Sequence, residues 1–427
     1  MSLRPPGASL GAAGAGRVRP VNLVEQLIQL GAVVERRWRA AGHELATFPA
    51  IAEAALLELQ AARRDPIDPS SDIAAVVQWL GGATQLPEQN LASRFSDFQL
   101  QLYSDERFVV EVLFWTNGTT AIHQHDFAGA FFVLAGSSMH TLWGFELRER
   151  VSQALLVGDL REFRVELLRV GDVRPIAPGD ELIHSLFHLD RPSVTVVVRT
   201  HPIPAAHPQY QYLRSPSGSG LGVDSASRPP PLARKLKCLG MLIETASPSL
   251  DSFVRDAIAS EDAFGAGILL QTLRLRVRDT SRLDGVVRLA RARHGAIVEQ
   301  LIPAFAELER LQRIAAMRSK FTDPELRFFL AVLMNVTNRA RALALIREGF
   351  PGRDPAALVT GWVQRALAIE PMLAGQPLDS SARFALGMLL GGCSTAEIVA
   401  TRSHDPAAIA DRCRDLLRSP MLHVLFV

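Results

Sequence analysis

Residues 119–136 read TTAIHQHDFAGAFFVLAG. The apolar run that follows the two histidines is short and bounded by Gly136, so the segment reads as strand rather than helix. Side chains on a strand alternate between faces, which puts His123 and His125 on the same face. Two neutral imidazoles on one face suit chelation of iron, zinc, nickel or copper. A His-x-His pair is a weak signal by itself, since an exposed strand carries such a pair just as readily. The same alternation sends Asp126 to the opposite face.

Support comes from residues 171–200, GDVRPIAPGDELIHSLFHLDRPSVTVVVRT, where a Pro178-Gly179 turn precedes His184 and an apolar strand follows. Between Pro87 and about residue 205 the chain is a series of short apolar or alternating runs: FQLQLY, FVVEVLFW, AFFVLAG, MHTLWGFEL, FRVELLRV and SVTVVVRT. Turn signals such as TNG, PGD and DRP separate them, as in a closed antiparallel barrel. From Asn22 to about Gly81 the apolar residues instead fall at helical spacing, as in Leu23, Leu27, Leu30 and Val34. Beyond residue 231 stretches such as DPELRFFLAVLMN and DPAALVTGWVQRALAIE also read as helices, with Asp at their starts. The expected organisation is a disordered lead over 1–20, helices packing on the barrel over 21–88, the barrel over 89–205, a Ser/Gly/Pro-rich linker over 206–231 and an all-α domain over 232–427. This is an α+β multidomain chain.

The two histidine segments together resemble the paired motifs of the cupin superfamily. Gly118, His123, His125 and Gly136 match the first motif, and Pro178, Gly179 and His184 match the second. The resemblance implies a barrel in which His123, His125 and His184 hold one divalent metal. The usual carboxylate ligand of the first motif is missing, and Gly129 stands in its place. Within the superfamily the likeness is to cysteine dioxygenase-like thiol dioxygenases, whose site has three histidines, and it covers roughly residues 70–205. It implies Fe(II), with Zn, Ni, Mn or Cu as the alternatives, and dioxygenase chemistry on a small molecule, a thiol among the candidates. The family's substrate-binding Arg and its Tyr are not found; Arg94, Arg107, Arg199 and His201 are the nearest polar side chains. Gly129, Trp115, Phe131 and Trp143 are candidates to line a substrate pocket. His140, His188, His201 and Arg199 are candidates to orient the ligands, with His140 and His188 weighed against ordinary core or surface histidines. The competing functional reading is a cupin that senses a metal or metabolite without turnover and signals through the helical domain.

Across its 427 residues the chain has 46 Lys plus Arg against 44 Asp plus Glu, a net charge of +2 that provides no broad field for nucleic acid or an anionic membrane. Lys235, Lys237 and Lys320 are the only lysines, as expected for a bacterial protein of Arg-rich composition. Cys238, Cys393 and Cys413 are far apart and form no CxxC pair, so neither a disulfide framework nor a thiolate zinc site is expected. No secretory leader or membrane span is legible, and a cytoplasmic location is expected. The C-terminal stretch ALGMLLGGCSTAEIVATRSHDPAAIADRCRDLLRSPML has the outline of a helix-turn-helix. Its last helix carries three Asp, which favours a packing or dimerisation unit, with a second copy or another protein as partner, over a DNA reader.

Overall fold

The computed structural model describes residues 23–62, 69–82, 87–90, 95–203, 206–224, 229–277, 279–370, 379–401 and 405–427. The expected disordered lead lies outside them. Eleven strands are present among these residues: β1 (Phe98–Ser104), β2 (Phe108–Trp115), β3 (His123–His125), β4 (Gly129–Ala135), β5 (Ser138–Arg150), β6 (Leu155–Leu168), β7 (Val173–Ile176), β8 (Gly179–His188), β9 (Ser193–Thr200), β10 (Tyr210–Arg214) and β11 (Ser219–Asp224). They form a five-stranded sheet, β1-β2-β9-β4-β7, and a closed ring, β10-β11-β6-β5-β8-β3. All pairings within them are antiparallel. This is a closed antiparallel β-barrel joined by a five-stranded sheet, with helices on both outer faces.

The nearly continuous apolar strands are explained by burial on both sides. Leu113 and Trp115 of β2, Phe131 of β4 and Val197 of β9 point into the barrel. Their neighbours Val110, Val112, Phe132, Val196 and Val198 point outward, under helices α1 (Leu23–Ala40) and α2 (Phe48–Ala62). α1 presents Leu23, Leu27, Leu30, Val34 and Trp38 to that sheet on one helical stripe. Burial of each contributes roughly 1.5–3 kcal/mol. The span Leu45–Ala62 is long and apolar enough by composition to cross a bilayer. In this fold it seats Phe48, Ala52, Ala55 and Leu56 in the outer core beside β4.

The expected linker is a correction. Residues 210–224 form a hairpin that closes the ring, with Gln211 of β10 paired to His123 and Leu221 of β11 to Val157. Its glycines are structural: Gly218 has φ +87 in the turn, and a Cβ on Gly220 would lie 2.5 Å from the Leu160 Cβ. The composition of a linker and the glycines of a tight hairpin coincide here.

α3 (Pro69–Gly82) precedes the strands, and eleven helices follow them among the described residues, from α4 (Pro230–Glu244) to α14 (Pro406–Arg418). Seven have an Asp or Asn whose side chain accepts from a first-turn N–H, including Asp323, Asp354 and Asp405, each followed by Pro at the first helical position. α5 (Leu250–Ser260), α6 (Ala263–Arg276) and α7 (Thr280–His294) pack with the first half of α8 (Ile297–Met317) beside β6 and β11. The second half of α8 joins α9 (Pro324–Asn335), α10 (Arg339–Gly349), α11 (Pro355–Ile369), α12 (Ser380–Leu390) and α14 in a second core, which takes in Met139 and Phe187 from the barrel's outer face.

Candidate metal centre

His123 and His184 are directly opposed across the β3–β8 pair, so both rings leave the same face of the ring sheet. His125, two residues on, joins them, and one ring nitrogen from each lies within 4.8 Å of the others. All three are buried, and no carboxylate belongs to this group among the described residues. His125 Nε2 faces His184 Nε2 at 2.8 Å. Two ligands at right angles, each about 2.0–2.1 Å from one ion, would be separated by about 2.9 Å, so this spacing fits neighbouring positions on an octahedral metal. His123 Nε2 is buried without a hydrogen-bond partner, the state expected of a nitrogen reserved for a metal.

The surrounding bonds select the tautomers. His123 Nδ1 lies 2.8 Å from the Ala121 carbonyl, so it carries the proton and leaves Nε2 free. His184 Nδ1 lies 2.8 Å from His140 Nε2, and His140 Nδ1 lies 3.0 Å from Glu166 Oε1. Glu166 is held down to about 2, first by its hydrogen bond with His140 and then by Arg174, against the opposing effect of burial. As an ionised acceptor it orients His140 with Nδ1–H outward, His140 Nε2 then accepts from His184, and the His184 Nε2 lone pair is left for a metal. Burial, then the neighbouring imidazoles, pushes His125 and His184 well below the ordinary histidine range, so both rings are neutral as metal binding requires. Replacing Glu166 with Gln should weaken metal binding by about 10–100-fold with the fold retained, measured by competition against a chelator.

The rings open into a cavity of about 280 Å³ between the two sheets. Trp115, Phe131, His188 and Arg199 line it, together with Leu113, Ile176, Leu186 and Val197. His188 is stacked on Trp115 at 4.3 Å and bonded through Nδ1 to Ser138 Oγ. Burial, then the charge of Arg318, pushes its pKa down to about 3. Arg199 reaches the cavity but is engaged by Glu111 through two nitrogens, at 2.6 and 3.2 Å, while Gln99 donates to the same carboxylate. Its charge is therefore already neutralised.

Several expectations need correction. Asp126 lines the metal cavity, because β3 ends at His125 and the strand alternation stops there. Trp143 pairs with Ile183 across β5–β8, which turns it away from His184; its Nε1 donates to Ser185 Oγ, outside the metal cavity. Arg107 is an exposed turn residue, and His201 Nε2 meets the Asp105 carbonyl; neither lines the cavity. Arg94 lies outside the described residues. Gly129 does not line the cavity, and its place is set by backbone sterics: a Cβ there would lie 2.2 Å from the Val198 carbonyl oxygen. Gly129→Ala should therefore cost about 1–3 kcal/mol by forcing β4 from β9, checked by urea denaturation. Glu166, Glu111, Gln99 and Phe127 were missed. His140 and Glu166 are direct cross-strand partners in β5–β6, a relation that depends on register and is invisible in sequence spacing.

No protein-family model matches the chain, and no curated protein matches it either. Among solved structures it is similar to the DMSP lyase DddQ from Ruegeria pomeroyi DSS-3, at 14% identity over 40% of this chain and 92% of that one, with a TM-score of 0.21. It is also similar to a candidate sugar phosphate isomerase from Acidithiobacillus ferrooxidans ATCC 23270, at 15% identity over 36% and 92%, with a TM-score of 0.21. A third similarity, to a structure of the DMSP lyases RdDddP and RnDddQII, has 14% identity over 42% and 94% and a TM-score of 0.23. At such values, substrate and reaction have to be argued from this chain's own residues.

Proposed function

We propose that this chain is a mononuclear non-haem iron(II) dioxygenase-like enzyme acting on a small molecule inside the barrel, with thiols as the first substrate class to test. The observation that carries the reading is the convergence of three neutral histidines, without a carboxylate among them, on a cavity walled mainly by apolar side chains. When bound, iron(II) supplies the redox and Lewis-acid chemistry of oxygen activation. The chain's own part is to hold the site and keep water from it. Leu113, Phe131, Ile176, Leu186 and Val197 form the apolar part of the wall, while Glu166 and His140 fix the His184 ring. Because Arg199 is neutralised by Glu111, an anionic substrate group would be received by the metal rather than by that guanidinium.

The test is oxygen uptake by protein reconstituted anaerobically with iron(II), using cysteine and other small thiols. Iron-dependent uptake that disappears in His184→Ala supports the enzyme. Saturable binding without uptake would favour the sensing alternative. One observation supports that second reading: Ser185, next to His184, donates to Asn335 of α9, and Arg327 of the same helix donates to the Leu189 carbonyl at the end of β8. The ligand-bearing strand is thus bonded directly to the helical region.

A further inference from the structure

A second cavity, of about 410 Å³, lies between β10 and helices α6, α8 and α9. None of its lining residues also lines the metal cavity. Its helical wall is mainly apolar, with Phe264, Leu301, Phe305 and Leu311 beside Gln271 and Gln312, whereas its barrel wall carries Gln211 and, at the end of β10, Arg214. The volume lies within the range of small-molecule sites.

Arg214 is the unusual member. It is 6% exposed, and its Nε donates to Glu307 Oε1 at 2.8 Å. Both of its terminal nitrogens are enclosed and make no hydrogen bond among the described residues. Glu307 is shared with Arg310, which takes both carboxylate oxygens at 2.7 and 2.8 Å. One carboxylate therefore serves two buried guanidiniums. Arg214 also borders an adjoining cavity of about 340 Å³, whose other carboxylate, Glu162, lies 3.1 Å from the partly exposed Arg341 and has neither oxygen in a hydrogen bond among the described residues. Two nitrogens thus remain unsatisfied on the planar fork, which matches a carboxylate. Leaving such donors unmet inside a protein is costly.

We infer that the larger cavity is a binding site for a small amphipathic carboxylic acid, its carboxylate on Arg214 and its apolar body between the barrel and helices α6 and α8. The inference stands independently of the chemistry at the metal. The two sites nevertheless share a wall: Ala121, whose carbonyl meets His123, and Ser185, next to His184, both line this cavity.

Calorimetric titration of the full chain with decanoate below its micellar range, alongside decanol and decylamine, tests the site. One decanoate should bind per chain, with both comparison ligands at least about tenfold weaker, because only the carboxylate can satisfy the guanidinium. Arg214→Gln should reduce decanoate affinity at least about tenfold while leaving decanol binding unchanged. Leu308→Trp, which fills the cavity without altering Arg214, should abolish decanoate binding. Absence of saturable decanoate binding, equal affinity of decanoate and decanol for the wild-type chain, or decanoate binding that survives Leu308→Trp overturns the inference. The wild-type comparison holds even if the Arg214 variant fails to fold.

Discussion

His184→Ala is expected to lower the affinity for a divalent metal by more than about 100-fold, beyond the range typical of losing a residue that only orients a ligand. His184 stands opposite His123 across β3–β8, its Nε2 faces His125 and its Nδ1 is fixed by His140. Its removal takes away one of three neutral ligands and leaves the His140–Glu166 pair with nothing to orient. Circular dichroism should stay unchanged, because the side chain faces a cavity rather than a packed layer. Metal content after anaerobic loading and desalting measures the effect. Retention of wild-type content would remove His184 from the centre.

Glu307→Ala should destabilise the chain by about 3–5 kcal/mol, the cost of breaking a buried ion pair from one side. Glu307 is 4% exposed on α8 and bonded to Arg214 of β10 and Arg310 of its own helix. Without it two enclosed guanidiniums lose the carboxylate they share, and α8 loses its ion pair to β10. Burial alone would raise the Glu307 pKa; the hydrogen bond from Arg310 and the charges of both arginines outweigh it and bring it down to about 2. A carboxyl depressed in the folded state stabilises fully above its ordinary value of 4.5, and that stabilisation fades as the pH falls through about 2. Urea denaturation at pH 7 and pH 3 checks both statements. The wild type should lose stability between them, whereas Glu307→Ala should lose less, since this contribution is already gone.

What could be read in the sequence is what depends on short spacing. His123 and His125 share a face by strand alternation, and a Pro-Gly turn announces β8 and His184. The Asp-Pro steps announce α9, α11 and α14 through capping. Features that depend on register were closed to such reading. His140 meets Glu166 only because β5 and β6 pair at that offset, and Trp143 turns away from the cavity only because it opposes Ile183. The β10–β11 hairpin was hidden for another reason: Gly218 and Gly220, required by a turn and by close approach to Leu160, have the composition of a linker. Gly129, which stands where the first motif has a carboxylate, is held to glycine by the Val198 carbonyl, a close approach that sequence spacing does not reveal.

The most direct test is X-ray absorption at the metal edge of protein loaded anaerobically with one equivalent of iron(II). The account predicts three imidazole nitrogens at about 2.0–2.2 Å, with the multiple scattering of histidine rings lost in step as His123, His125 and His184 are replaced. A shell of oxygen scatterers alone, unchanged by those replacements, would contradict it.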